Sequence, residues 1–307
     1  VPELEVLHEA TVGEDEIDEL GHMNVRFYLT KALRATDSLA ERHGLSSAAC
    51  DELGVVLELC DVYSRHYREQ LVGARLAVRG GVLAVRSDGL RLYHELVNPA
   101  RAELAATFVH ELKLRDRNSR SARPLPEMVA RSAGRALVEW PAHGRPRTLS
   151  LESAPPHLEL AAARQRGLAL RAERVVLPEE CDPQGHFIAS RYQDLVWGGE
   201  PIEPSRAGSW LHDLEDGRKF GWATLESRGI LRELPRVGAR IQAFGAEVAL
   251  EAKTSFRHHW VFDLDSGALL CTSSILNLAF DIGARRPIEI PAAVRQMLEA
   301  VYHPDLR

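Results

Sequence analysis

Two short segments hold the residue types with which this chain could do chemistry. Asp18-Glu-Leu-Gly21-His22-Met-Asn24-Val25-Arg-Phe-Tyr28 and Asp182-Pro-Gln-Gly185-His186-Phe-Ile-Ala189-Ser-Arg-Tyr192 share Asp, Gly, His and Tyr at one displacement of 164 residues. Each sets a carboxylate and a glycine turn just ahead of a helical stretch, where backbone N–H groups lack partners within the helix. That combination activates an electrophile. A carbonyl oxygen on those donors is polarised, while an aspartate, ionised at pH 7 because Asp ordinarily titrates near ~3.9, activates a water or attacks directly. A general acid is the missing ingredient. A thiol leaves as thiolate with an ordinary pKa near ~8.5, so the toolkit suits a thioester better than an amide. Asp before a helix and Gly-His in a turn are also ordinary cap and turn chemistry, and a repeated fold repeats its turns.

The elements that position these segments repeat as well. Beyond the motif the displacement becomes 165: Val72-Gly-Ala-Arg75 returns as Val237-Gly-Ala-Arg240, Asp61 as Glu226, His94 as His259, Thr107 as Thr272, Asp116 as Asp281 and Pro126 as Pro291. One inserted residue accounts for the change, and the pattern predicts a duplicated domain. After each motif the apolar spacing predicts a helix. In the first copy it runs from Val25 to His43 with Asn24 as N-cap and Gly44 at the C′ position. Alternating runs around the turns Ser87-Asp88-Gly89 and Asp265-Ser266-Gly267 predict antiparallel hairpins. Pro126–Val138 and Pro291–Tyr302 read as closing helices with Pro at the first helical position. A helix apolar around most of its girth needs a sheet wrapped around it. The expected fold is therefore α+β, two paired copies of a long central helix enclosed by a curved antiparallel sheet. The expected bounds are 1–138, a linker 139–167, and 168–307. In the second copy Trp197-Gly-Gly-Glu-Pro-Ile-Glu-Pro204 is expected to interrupt the helix, since Gly and Pro cost roughly 1 and 3 kcal/mol in helix interiors.

Composition closes off other classes. The chain has 307 residues, is 45% apolar and 27% charged, and carries a net charge of −6, which argues against a general nucleic-acid surface. Residues 115–147 hold eight Arg against three acids, net +5, leaving −11 for the rest; this stretch reads as a solvated linker with a solubilising helix rather than a phosphate site. No apolar run approaches the ~18 residues of a membrane span and the acidic start lacks signal-peptide character, so a soluble cytoplasmic protein is expected. Cys50, Cys60, Cys181 and Cys271 form no CxxC pair and are expected to be reduced and mostly buried. Walker A, GxGxxG, HExxH and GxSxG patterns are absent, which removes the common nucleotide, zinc and serine-hydrolase readings.

With the motif Asp18 to Tyr28 in view, the chain resembles the 4-hydroxybenzoyl-CoA thioesterase-like hot dog enzymes, whose DxxGHxN-x(3)-Y signature it carries. Asp182-Pro-Gln-Gly185 is similar to that family's Asp-Pro-x-Gly variant. The tandem arrangement resembles acyl-ACP thioesterases, which fuse two hot dogs in one chain. The resemblance covers both halves and not the linker. It implies metal-independent hydrolysis of an acyl-CoA or acyl carrier protein thioester at clefts between paired hot dogs, with CoA entering only as substrate and no separate cofactor. It makes Asp18 and Asp182 the candidate bases or nucleophiles. His22, Asn24 and His186 become their polar surround, Gly21 and Gly185 the turns, the N–H near Val25 or Ala189 the carbonyl donor, and Tyr28 and Tyr192 substrate-side residues. Asp61 and Glu226 match the acid on the strand after the helix, with Glu226 expected to serve the Asp18 site and Asp61 the Asp182 site. The His94/His259 pair has no family role and reads as two core or cross-strand histidines. Ile188 in place of Asn24 puts the second site in doubt, so catalysis is expected to be asymmetric with Asp18 dominant. A homodimer of double hot dogs is an expected assembly. The alternatives are a hot dog enoyl-CoA hydratase or dehydratase, whose His-Asp patterns are missing at the motif, and a noncatalytic acyl-CoA binder, which would have no need of the motif acids.

Overall fold

The computed structural model describes residues 3–18, 20–197, 211–214 and 217–307. The chain divides into two compact units, Val1–Arg147 and Thr148–Arg307, so the division falls inside the stretch expected to be a linker.

In the first unit α1 (Val25–Arg42) forms where the apolar spacing predicts it. The Asn24 side chain accepts the Arg26 N–H, and Gly44 adopts φ +93°, the left-handed conformation that ends a helix most cheaply at glycine. Tyr28, Leu29, Ala32, Ala35, Leu39 and Ala40 are buried; the alanines let the helix lie close against the strands. Lys31 is also buried on α1, and the Glu16 carboxylate neutralises it at 2.5 and 2.7 Å.

Around α1 the strands β1 (Glu5–Thr11), β2 (Val55–His66), β3 (Arg75–Val85), β4 (Gly89–Asn98) and β5 (Glu103–Asp116) run in the antiparallel order β1-β3-β4-β5-β2. Short α2 (Ser47–Glu52) precedes β2, and α3 (Glu127–Arg135) closes the unit. Helix and sheet meet through a polar link as well as apolar packing. The Thr36 hydroxyl on α1 lies 2.9 Å from His94 Nε2 on β4 and 2.7 Å from His110 Nδ1 on β5. His94 is thus the core histidine the sequence suggests, and it faces the helix.

The second unit repeats this plan. α4 (Leu160–Gln165), β6 (Ala169–Val175), α5 (Tyr192–Trp197), β7 (Leu211–Asp213), β8 (Lys219–Leu231), β9 (Arg240–Leu250), β10 (Thr254–Asp263), β11 (Leu269–Asp281), β12 (Arg286–Pro287) and α6 (Ala292–Glu299) follow in order. Its strands run β6-β9-β10-β11-β8, with β7 beside β8 and β12 beside β11. The register repeats residue for residue: Glu5↔Gly80 becomes Ala169↔Gly245, and Gly80↔His94 becomes Gly245↔His259. Even the irregularities recur, with extra residues at Leu7 and Arg171, Leu83 and Val248, and Cys60 and Leu225. His259 is fully buried, as expected of a core histidine.

Some expectations change in detail. Pro126 and Pro291 occupy the N-cap rather than the first helical position, with ψ of 139° and 143° outside the helical range; the N-cap tolerates a missing N–H equally well. The described part of the second central helix is six residues long, so the long central helix is seen in the first unit. Residues 198–204, expected to interrupt the second helix, lie outside the described residues. Within the basic stretch, Arg117 pairs with Asp51, Arg120 with Glu58, Arg123 with Asp116 and Arg131 with Glu127. All four cysteines are free; Cys50 and Cys271 are buried, whereas Cys60 and Cys181 are half-buried. Among the described residues no helix is long and apolar enough to cross a membrane.

Candidate active site

The first motif folds into a loop made by main-chain bonds. The Asp18 N–H donates to the His22 carbonyl at 3.0 Å and the Gly21 N–H to the Asp18 carbonyl at 2.9 Å, while Gly21 takes φ +79°. That left-handed turn is why a glycine stands there. Met23 donates to the Gln70 carbonyl and Asn24 to the Glu16 carbonyl, which ties the loop to the segment after β2 and to the turn before it.

This frame presents Asp18 at the start of α1 with both carboxylate oxygens engaged. Oδ1 accepts the Leu20 N–H at 2.9 Å and Oδ2 accepts Asn24 Nδ2 at 3.3 Å. Asn24 therefore caps the helix with its oxygen and holds Asp18 with its nitrogen. Asp18 retains 18% side-chain exposure, enough for a substrate or water to reach it. His22 stands beside it, Nδ1 at 3.7 Å from Asp18 Oδ1 and 3.3 Å from the Met23 carbonyl. By helix geometry the Val25 N–H at the first turn has no acceptor within α1. Tyr28 is buried and donates its hydroxyl to the Arg68 carbonyl at 3.1 Å. Burial first, then the Glu69 and Asp18 carboxylates, push the Tyr28 phenol far above its ordinary value, so it stays a donor.

Sequence reasoning missed Glu69. Its Oε1 lies 3.4 Å from His22 Nε2, so His22 sits between two carboxylates. The repeat could not reveal it, because the corresponding position holds Leu234. A surface pocket of about 290 Å³ is lined by Tyr67, Arg68, Ala102, Glu103 and Leu104.

The second motif reproduces the loop bond for bond. Asp182 N–H donates to the His186 carbonyl at 2.7 Å, Gly185 to Asp182, Phe187 to Pro235 and Ile188 to Glu180, each displaced as the sequence repeat requires. The carboxylate differs. Asp182 Oδ1 takes the N–H groups of both Gln184 and His186, at 3.0 and 2.9 Å, and Ile188, 37% exposed, replaces the asparagine. His186 Nδ1 lies 3.6 Å from Asp182, and its side chain is 6% exposed. Ala189 opens a 3-10 turn, Ala189–Arg191, rather than an α-helix, so its N–H is less well aligned with a helix dipole than that of Val25. The Tyr192 ring lies over Gly229, where a Cβ would sit 2.3 Å from it.

Asp61 and Glu226 each follow a bulge, at Cys60 and Leu225, a common device for re-aiming a side chain. Asp61 is half-buried opposite Glu111. Glu226 is 2% exposed, and its carboxylate accepts the Thr148 N–H with both oxygens and the Leu149 N–H with Oε2, all at 3.1 Å. Among the described residues no group of His, Cys, Asp and Glu is arranged to hold a metal.

Residues 12–132 match the family described as the thioesterase-like superfamily. The L-carnitine dehydrogenase/betainyl-CoA thioesterase of Agrobacterium fabrum strain C58 is 32% identical over 126 residues, 41% of this chain; the chain spans about a quarter of that relative, 26% of its length. Two solved structures share the whole tandem fold. The 12:0-ACP thioesterase of Umbellularia californica superposes with a TM-score of 0.68 at 11% identity, over 89% of this chain and 93% of that one. An acyl-ACP thioesterase of Bacteroides thetaiotaomicron VPI-5482 superposes with a TM-score of 0.64 at 13% identity, over 88% and 96%. At such identities the likeness is one of fold, and that fold is the double hot dog.

Proposed function

We propose that this double hot dog chain, whose residues 12–132 belong to the thioesterase-like superfamily, hydrolyses acyl thioesters. The observation that carries the reading is the Asp18 carboxylate, fixed by Leu20 and Asn24 at the head of an eighteen-residue helix yet still partly exposed. The thioester carbonyl oxygen accepts from the Val25 N–H, where the helix dipole favours developing negative charge. Asp18 then takes a proton from the attacking water, or attacks the carbonyl carbon itself; the C–S bond breaks and the thiol departs as thiolate, and in the second route water then hydrolyses the acyl-aspartyl anhydride to free acid and Asp18. His22 and Asn24 keep the carboxylate aimed. Glu69 orients His22 through Nε2.

The first site is the principal one. It has Asn24 on the carboxylate and Glu69 on the histidine, where the second unit has Ile188 and Leu234. The substrate is an acyl group on CoA or on an acyl carrier protein, the two thioester classes in the names of the relatives above. The bond-for-bond match of the two loops supports descent from one duplicated domain. The test is thiol release from short, long, aromatic and polar acyl-CoAs and from acylated carrier protein, with no metal added. Release that EDTA does not alter is expected. Activity abolished by EDTA and restored by zinc overturns the mechanism, and no release from either carrier class overturns the function.

A further inference from the structure

The repeated register exposes an exchange of chemistry inside the second unit. In the first unit, Leu7, Val82, Leu90 and Leu92 are apolar positions on β1, β3 and β4. Leu90 and Leu92 share a face with His94, because side chains two apart point the same way, and His94 reaches Thr36 on the central helix. The corresponding residues of the second unit are Arg171, Glu247, Ser255 and Arg257. An apolar patch facing the helix has become ionic.

Not all of the new charged groups find hydrogen-bond partners among themselves. Glu247 is 0% exposed, and its carboxylate accepts from Arg257 Nε on one oxygen and from the Ser255 hydroxyl on the other. That leaves Arg171 over. Its Nε and one terminal nitrogen are buried and, among the described residues, have no hydrogen-bond partner. The side chain rests on Gly245, with Nε 2.8 Å from where a Cβ would stand, and His259 lies against the same spot. A bulge in β6 turns Arg171 to this position. Burial, then Arg257, push the guanidinium down to about 9 against the opposing pull of Glu247. An uncompensated charge of this kind is strongly destabilising, and a leucine serves the same place in the first unit.

We propose that Arg171 is the receptor for the carboxylate of a small organic acid bound inside the second unit, with the Glu247–Arg257 pair as its fixed backing. The guanidinium fork matches a planar carboxylate in two parallel hydrogen bonds. The receptor is a single guanidinium with unpartnered buried nitrogens, so one carboxylate neutralises it, whereas a phosphate near −2 leaves an excess. The acid is either free or the far end of an acyl group carried as a thioester. Binding does not depend on the hydrolysis proposed above.

The experiment is thermal unfolding of the full chain with succinate, glutarate, adipate, glutaryl-CoA, hexanoyl-CoA and, as the uncharged control, glutaramide. Wild type should show a saturable rise in Tm with at least one carboxylate-ended probe and none with glutaramide or hexanoyl-CoA. Arg171→Leu, the residue of the first unit, should abolish that rise while leaving the unliganded Tm equal or higher; Arg171→Lys should weaken it. A rise with glutarate assigns a free acid, and a rise confined to glutaryl-CoA assigns an acyl terminus. The proposal fails if no carboxylate raises the wild-type Tm, or if the rise survives in Arg171→Leu. It also fails if Arg171→Leu lowers the unliganded Tm, because the chain itself then supplies the partner.

Discussion

Replacing Asp18 by Asn separates the chemical role of the carboxylate from its place in the loop. The amide keeps the shape and one acceptor oxygen. Its NH2 must then face either the Leu20 N–H or the Asn24 amide nitrogen, both of which now donate to the carboxylate. Keeping the 2.9 Å Leu20 bond in neutral form and giving up the 3.3 Å Asn24 bond to the water that reaches this partly exposed site costs roughly 1 kcal/mol, or about 2–4 °C in Tm for a unit of this size. Loss of a general base typically costs about 10²–10⁴-fold in rate. Asp18→Asn should therefore lower kcat/KM by that factor in a protein that melts nearly normally. Asp182→Asn should cost much less activity, and little stability, because its two N–H donors converge on Oδ1 and an amide oxygen can keep both. The assay is thiol release on the best acyl-CoA, with melting curves alongside. Equal losses in the two variants refute the asymmetry, and a larger loss in Asp182→Asn reverses the assignment of the principal site.

Asn24→Ala removes both a helix cap and the hold on Asp18 Oδ2; about 1 kcal/mol of stability should go, together with a fall in kcat rather than a rise in KM. Thr36→Val leaves His94 Nε2 and His110 Nδ1 without their shared hydroxyl in a fully buried place, so chemical denaturation should show a loss of about 2–4 kcal/mol. Glu226→Gln can keep the Thr148 and Leu149 N–H groups on its one amide oxygen but loses their charge assistance, and should destabilise by about 1 kcal/mol, with thiol release falling alongside. Burial holds His66 and His258 down to about 4 and His110 to about 3, with His94 and His259 well below 6.5. The unfolded chain takes up these protons near pH 6.5 while the folded chain refuses them, so stability is full above pH 6.5 and falls as pH drops toward 4. Each histidine contributes up to about 1.4 kcal/mol per pH unit to that fall. A urea midpoint that stays level from pH 7 to pH 5 contradicts this account.

Much of the fold is legible in the sequence because its determinants are local. Asn24, Gly44 and the spacing of Tyr28, Leu29, Ala32 and Ala35 define α1 without tertiary information. The repeat then carries the strand plan from one half to the other, and the motif identifies Asp18 as the acid at the helix head. What escaped depends on contacts distant in sequence. Glu69 meets His22 only because the Met23 N–H ties the loop to Gln70. The destination of Glu226, two main-chain amides, leaves no trace in residue types. Arg171 reads as an ordinary strand-edge arginine until the register aligns it with Leu7.

The Glu226 clamp also bears on how the joining segment can evolve. Because this clamp reads the amide hydrogens of Thr148 and Leu149, it sets no side-chain requirement of its own there; Thr148 is exposed and free to vary, whereas Leu149 is buried and must stay apolar for that separate reason. The clamp bars only proline, which carries no N–H and would leave the buried acid short of a donor. Pro146 stands two residues before the clamp and Pro155 follows six after Leu149, so the segment uses proline freely on both sides of the one place that excludes it. Its variation among natural sequences should show broad tolerance at 148, apolar residues at 149, and proline at neither.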